Sequence, residues 1–150
     1  MKYYTSDLHL CHTNIIKYED RPFQNADEMN RYLITKWNDK IKKGDEVYIL
    51  GDFAFCDGET ANNLLKQLNG QKFLIKGNHD GFLKDKYFDN TLFRWIKDYA
   101  KINDDGIKTI LFHYLVMYIR MIVIIVLRKC KEDKNKIVIS INIQDKELNL

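Results

Sequence analysis

Asp7 and His9, Asp52, and Asn78 with His79 fall in three short signatures, in order along the chain: Ser6-Asp7-Leu8-His9, Leu50-Gly51-Asp52 and Lys76-Gly77-Asn78-His79-Asp80. Two carboxylates, an amide oxygen and imidazoles make a mixed oxygen and nitrogen donor set of the kind that suits divalent first-row metals. A single D-x-H or G-D occurs by chance, and Asp7 or Asp52 taken alone reads as a turn former or a cap. Three such signatures in order, each behind a strand-like run, point to one metal site.

The runs that must position these residues are Lys2-Tyr3-Tyr4-Thr5, Glu46-Val47-Tyr48-Ile49 and Lys72-Phe73-Leu74-Ile75, rich in β-branched and aromatic side chains. In an open α/β sheet the carboxyl ends of the strands share one edge, and ligands bind there. Between the first two runs, Met29, Leu33, Trp37 and Ile41 recur every four residues, which predicts a helix with one buried face. Asn25 and Glu28 form a capping-box pattern at its start. A second helix is predicted over 59–69, with Leu64, Leu65 and Leu68 on one side and Gly70 as its stop. Alternating strands and helices predict parallel βαβ units. Residues 97–102 and 108–112 flank Asn103-Asp104-Asp105-Gly106 and predict a hairpin with Gly106 in a left-handed position. Phe53 and Phe55 are expected to pack. The expected fold class is α/β with an antiparallel extension.

Composition sets bounds on partners. The length fits one domain with a real core. Three cysteines without C-x-x-C spacing fit free thiols in a reducing compartment, and the first residues carry no apolar h-region, so a cytoplasmic protein is expected. Residues 1–114 hold 17 basic and 17 acidic side chains, so the net charge of +3 comes entirely from residues 115–150. The motif region lacks the basic footprint of a nucleic-acid binder, and no long nucleic acid is expected as partner.

The signatures, together with Phe112-His113-Tyr114, resemble the calcineurin-like metallophosphoesterases, especially their small bacterial and phage members. The resemblance covers residues 1–114 and implies a layered α/β/β/α-like sandwich. It further implies two divalent ions, with Mn²⁺, Fe or Zn²⁺ the candidates. Asp7 and His9 would bind the first, Asp52 would bridge, and Asn78 and His113 would bind the second. Two cations about 3.5–4 Å apart can hold a phosphate between them. His79 would protonate the leaving alkoxide, and the substrate would be a small phosphoester or a nucleotide. Several readings stay open. His113 alone is also consistent with a satisfied core histidine, and His12 either faces a substrate phosphate or starts a surface helix. Arg21 either clamps a phosphate or is a solvated loop arginine. Asp80 either orients an imidazole or caps the following turn.

The chain departs from the family after Tyr114. Relatives close the site with a late G-H-x-H segment, whereas this chain has only His9, His12, His79 and His113, and no glycine after Gly106. Residues 115–150 contain eight isoleucines and no Gly, Pro, Trp, Phe or His, which predicts a divergent, frameshifted or truncated third, part of the same domain or poorly ordered. The run 111–127 is apolar enough to raise a membrane span of about 20 residues. Arg120 within it argues against one, at about 2.5–3.5 kcal/mol for a central arginine. Hydrolysis of phosphomonoesters or phosphodiesters, impaired by the missing histidines, is the expected function. The alternative is an inactive remnant acting as a binding module.

Overall fold

The computed structural model describes residues 1–113 and the short segments 126–127 and 137–138. Strands β1 (Lys2–Thr5), β2 (Glu46–Leu50), β3 (Gln71–Ile75) and β4 (Trp95–Lys97) form one parallel sheet in that order. Thr5 pairs with Ile49 and Leu50 with Ile75, so the first three strands end nearly level. All three signatures therefore leave the sheet at the same edge.

Side chains alternate across the sheet, as the period of two requires. Val47, Ile49 and Leu74 join the helix-side core, which holds Met29, Leu33, Trp37, Ile41, Leu64, Leu65 and Leu68. The helices are α1 (Thr13–Tyr18), α2 (Ala26–Lys40) and α3 (Gly58–Gln67). Tyr48, Leu50 and Ile75 face the other way, onto Ala100 and Leu111 of a hairpin made by β5 (Tyr99–Asp104) and β6 (Ile107–Phe112). The result is helices on sheet on hairpin, the layered α/β fold expected from the motifs.

Local chemistry accounts for the element ends. Asn25 Oδ1 accepts from the Glu28 amide at 2.9 Å. The Glu28 carboxylate reaches back past Asn25 to the Gln24 amide, also at 2.9 Å, so the reciprocal bond lands one residue earlier than in a simple capping box. Helix α3 starts before residue 59 because the Asp57 carboxylate accepts from the Thr60 amide at 2.7 Å.

The expected strand over 97–102 is in fact two strands. Trp95 packs on Phe73, ring centroids 5.3 Å apart, which draws residues 95–97 onto the edge of the parallel sheet beside β3. Asp98 turns outward to Lys76 at 2.8 Å, and β5 then pairs with β6 alone. Asp105 and Gly106, φ 50° and 83°, form the two-residue turn between them. Positive φ at both positions matches the right-handed twist of the flanking strands.

Val126–Leu127 pairs antiparallel with Ile137–Val138. The other expectations for residues 115–150, including the frameshift and most of the apolar run 111–127, fall outside the described residues. Among those described, no helix is long and apolar enough to cross a membrane.

Candidate metal centre

Past the strand ends the loops keep running side by side. The amides of Asp7, His9 and Leu10 donate to the carbonyls of Gly51, Asp52 and Phe53 at 3.1, 2.9 and 3.0 Å. Asp7, His9 and Asp52 all take left-handed backbone angles, φ 52°, 49° and 53°. Such angles cost energy in residues other than glycine and persist only where surrounding structure enforces them. The twist turns all three side chains toward one point.

The donors divide around Asp52. His9 Nε2 lies 3.6 Å from Asp52 Oδ2 and 3.7 Å from Asp7 Oδ1. One ligand atom from each of Asp7, His9 and Asp52 fits within a mutual 4.8 Å. On the other side, His113 Nε2 lies 3.6 Å from Asp52 Oδ1 and 3.2 Å from Asn78 Oδ1. His113 arrives on the end of β6, and its Nδ1 donates to the Leu50 carbonyl at 2.8 Å. That bond turns Nε2 inward, toward two oxygen acceptors.

Such a set needs positive charge between its members. Asp7, His9, Asp52 and His113 are all largely shielded, and Asp7 Oδ2 is buried with no hydrogen-bond partner. A buried carboxylate oxygen without a donor is costly unless a cation completes it. The residues therefore fit divalent metal, with Asp52 presenting one oxygen to each group of ligands.

Two glycines make the close approach possible. A Cβ on Gly51 would collide with the His113 imidazole, and one on Gly77 would collide with the Asp52 carboxylate. The G-D and G-N pairs of the sequence thus have steric reasons.

His79 stands at the rim. Its amide donates to Asp52 Oδ1 at 2.9 Å, while its half-exposed ring lies 5.3 Å from His9 and 5.7 Å from His12, centroid to centroid. His12 precedes α1 and also joins the cluster, its Nδ1 3.2 Å from His9 Nδ1. Burial first, then the nearby imidazoles of His9 and His79, hold His12 below the ordinary imidazole range.

Three side chains sit otherwise than expected. Phe53 is fully buried, but Phe55 is 54% exposed and stacks on His12 at 4.7 Å. Leu10 and Ala54 form an isolated parallel bridge, and the Phe55 amide donates to the Leu10 carbonyl at 2.8 Å. Asp80 neither orients an imidazole nor caps the turn after it. Its carboxylate accepts from the amides of Phe53, Gly77 and Asp52 at 2.7, 2.8 and 3.1 Å, tying the second signature to the third. Burial pushes this carboxyl above its usual range, against the pull of those three N–H groups. The Arg21 side chain is 8% exposed, so it is not solvated, and its guanidinium lies on the carbonyls of Asp7 and Leu8. No residue-by-residue signal identified these partners, since both aspartate and arginine have many possible roles in loops.

A family model described as calcineurin-like phosphoesterase matches residues 3–140. An uncharacterized protein of Methanocaldococcus jannaschii, MJ1445, is 48% identical over 82 residues, 53% of this chain and 47% of that protein. The gene 66 protein of Mycobacterium phage D29 is 37% identical over 83 residues, 52% of this chain and 39% of its own length. The crystal structure of AQ665, a protein of unknown function from Aquifex aeolicus, superposes with a TM-score of 0.62 at 34% identity. It covers 76% of this chain and 60% of its own. This chain thus spans less than half the length of these curated relatives. Three converging signatures on one sheet edge and a match across nearly all of the sequence place the chain in the calcineurin-like phosphoesterase family.

Proposed function

We propose that this chain hydrolyses small phosphomonoesters or phosphodiesters, nucleotides among them, at a centre of two divalent ions (Mn²⁺, Fe or Zn²⁺). The observation that carries this reading is the division of Asp52: Oδ2 faces His9 and Oδ1 faces His113. Asp7 and His9 would hold one ion, Asn78 and His113 the other, and Asp52 both. When bound, the ions supply Lewis-acid charge that polarises the phosphoester and stabilises its departing oxygen. His79, half-buried at the rim, holds the proton that goes to the leaving alkoxide. His12 lines the approach beside it. A cytoplasmic setting accords with Cys11 and Cys56, which are free thiols. The balanced charge of residues 1–114 favours a small substrate over a long nucleic acid.

Turnover should be weak, because the whole sequence holds only four histidines and none lies beyond His113. That count also supports the second reading, a metal-binding remnant without catalysis. Elemental analysis of the purified chain paired with phosphodiester hydrolysis in Mn²⁺ separates the two. Two ions with hydrolysis that chelation abolishes support the enzyme, and one ion or none without hydrolysis supports the remnant. In the enzyme, Asp52→Asn loses both ions together, while His79→Ala slows a poor leaving group far more than p-nitrophenolate. Full metal retention in Asp52→Asn would refute the bridging role.

A further inference from the structure

Arg21 has five N–H donors, and each has an acceptor. Nη1 donates to the Leu8 carbonyl at 2.9 Å and the Met29 sulfur at 3.4 Å. Nη2 donates to the Asp7 carbonyl at 3.0 Å and to Glu19 Oε2 at 2.7 Å, and Nε donates to the same Glu19 oxygen at 2.9 Å. None is left over for a phosphate. The residue itself is fixed from behind, since its amide donates to the Ile16 carbonyl at 2.8 Å and its carbonyl accepts from the Phe23 amide at 2.8 Å.

The two carbonyls it grips belong to Asp7 and Leu8, the peptides that connect Asp7 to His9. Asp7 and His9 both sit in left-handed backbone, so this turn is strained, and relaxing it would swing both side chains away from Asp52. One planar fork spanning two carbonyls and a carboxylate can hold such a turn, whereas a lysine ammonium is a point charge that cannot reach all three.

We infer that Arg21, oriented by Glu19, is the positioning residue for Asp7 and His9 and sets how tightly the centre binds metal. This rests on the metal-centre reading above, and the test keeps the two apart. The whole chain, prepared metal-free, is titrated with Mn²⁺, and the unbound ion is read by its EPR signal. Arg21→Gln and Arg21→Lys are compared with the parent and with Leu65→Ala, a core truncation in α3. Partners that orient a ligand from behind typically contribute about 10–100-fold in metal affinity. The expected result is therefore Mn²⁺ binding weaker by about 10–100-fold in Arg21→Gln, only partly recovered in Arg21→Lys, and unchanged in Leu65→Ala. Glu19→Gln keeps the arginine but removes its charged partner, and should weaken binding several-fold. It decides the matter if neither Arg21 variant folds.

Binding within twofold of the parent in the Arg21 variants, or in Glu19→Gln where that variant decides, overturns the inference while leaving the metal centre intact. An equal loss in Leu65→Ala overturns it too, since the effect would then be one of general stability. A parent that takes up no Mn²⁺ overturns the metal centre itself, and this inference with it.

Discussion

Replacing Asp80 with alanine tests whether the carboxyl edge of the sheet is held together by a single buried carboxylate. The side chain is 5% exposed and receives the amides of Asp52, Phe53 and Gly77 at 3.1, 2.7 and 2.8 Å. Asp52 and Phe53 are themselves buried, and Gly77 is half-buried. A buried N–H left without a partner costs about 1–3 kcal/mol, so the two buried donors alone set a range of roughly 2–6 kcal/mol. Burying the carboxylate has its own cost, which returns part of that on removal, so a net loss of about 3–4 kcal/mol is expected. Against a domain stability of about 5–15 kcal/mol, this is a large fraction. Asp80→Asn keeps one accepting oxygen but sets an NH₂ against a donor, and should lose about 1–2 kcal/mol. Because burial raises the carboxyl's pKa in the folded state, its contribution is fully present below the unfolded value and declines as pH rises through the folded one. The alanine deficit should therefore be greater near pH 4 than at pH 8 in the metal-free chain. Urea unfolding at several pH values measures all three quantities. An alanine variant within about 0.5 kcal/mol of the parent, the spread of ordinary surface changes, would refute this account of the edge.

Gly51→Ala should displace His113, because its Cβ would occupy the imidazole's place and φ is +83°. Metal stoichiometry should fall while the β1-side ligands remain, with a backbone cost of about 1–2 kcal/mol. An unmoved His113 resonance by NMR would contradict it. Asp45 carries the opposite pH sign from Asp80: the N-terminal ammonium at 2.6 Å and then the Lys42 amide hold its carboxyl below the usual range. Its contribution is present above the unfolded pKa and disappears as pH falls through the folded one. Asp45→Asn should therefore lower Tm at pH 7, and the difference should close below about pH 4. A constant difference across that range would show that the ammonium pairing does not stabilise the fold.

Much of the site was legible before any coordinates. The donor types at positions 7, 9, 52 and 78 follow from residue chemistry, and their shared edge follows from strands that read as parallel, whereas His113 was pointed to by the family resemblance and arrives on the antiparallel strand β6. The helix face of Met29, Leu33, Trp37 and Ile41 was equally plain, because a repeat of four is a local property. The sequence also shows the want of histidines past His113, which no structure is needed to see. What it could not show was the choice made by groups with many possible partners. Arg21 selects carbonyls 13 and 14 residues away, and Asp80 selects amides 27 and 28 residues away as well as a nearby one. Those choices depend on which loops lie side by side once β1, β2 and β3 are in register. The split of residues 95–104 into β4 and β5 has the same origin, since only the packed rings of Phe73 and Tyr48 tell Trp95 where to go. The sequence determined which groups offer metal-donor chemistry, because that chemistry belongs to each residue. The tertiary structure alone decided what holds those groups still, because a buried donor or acceptor is satisfied by whatever the fold brings within reach.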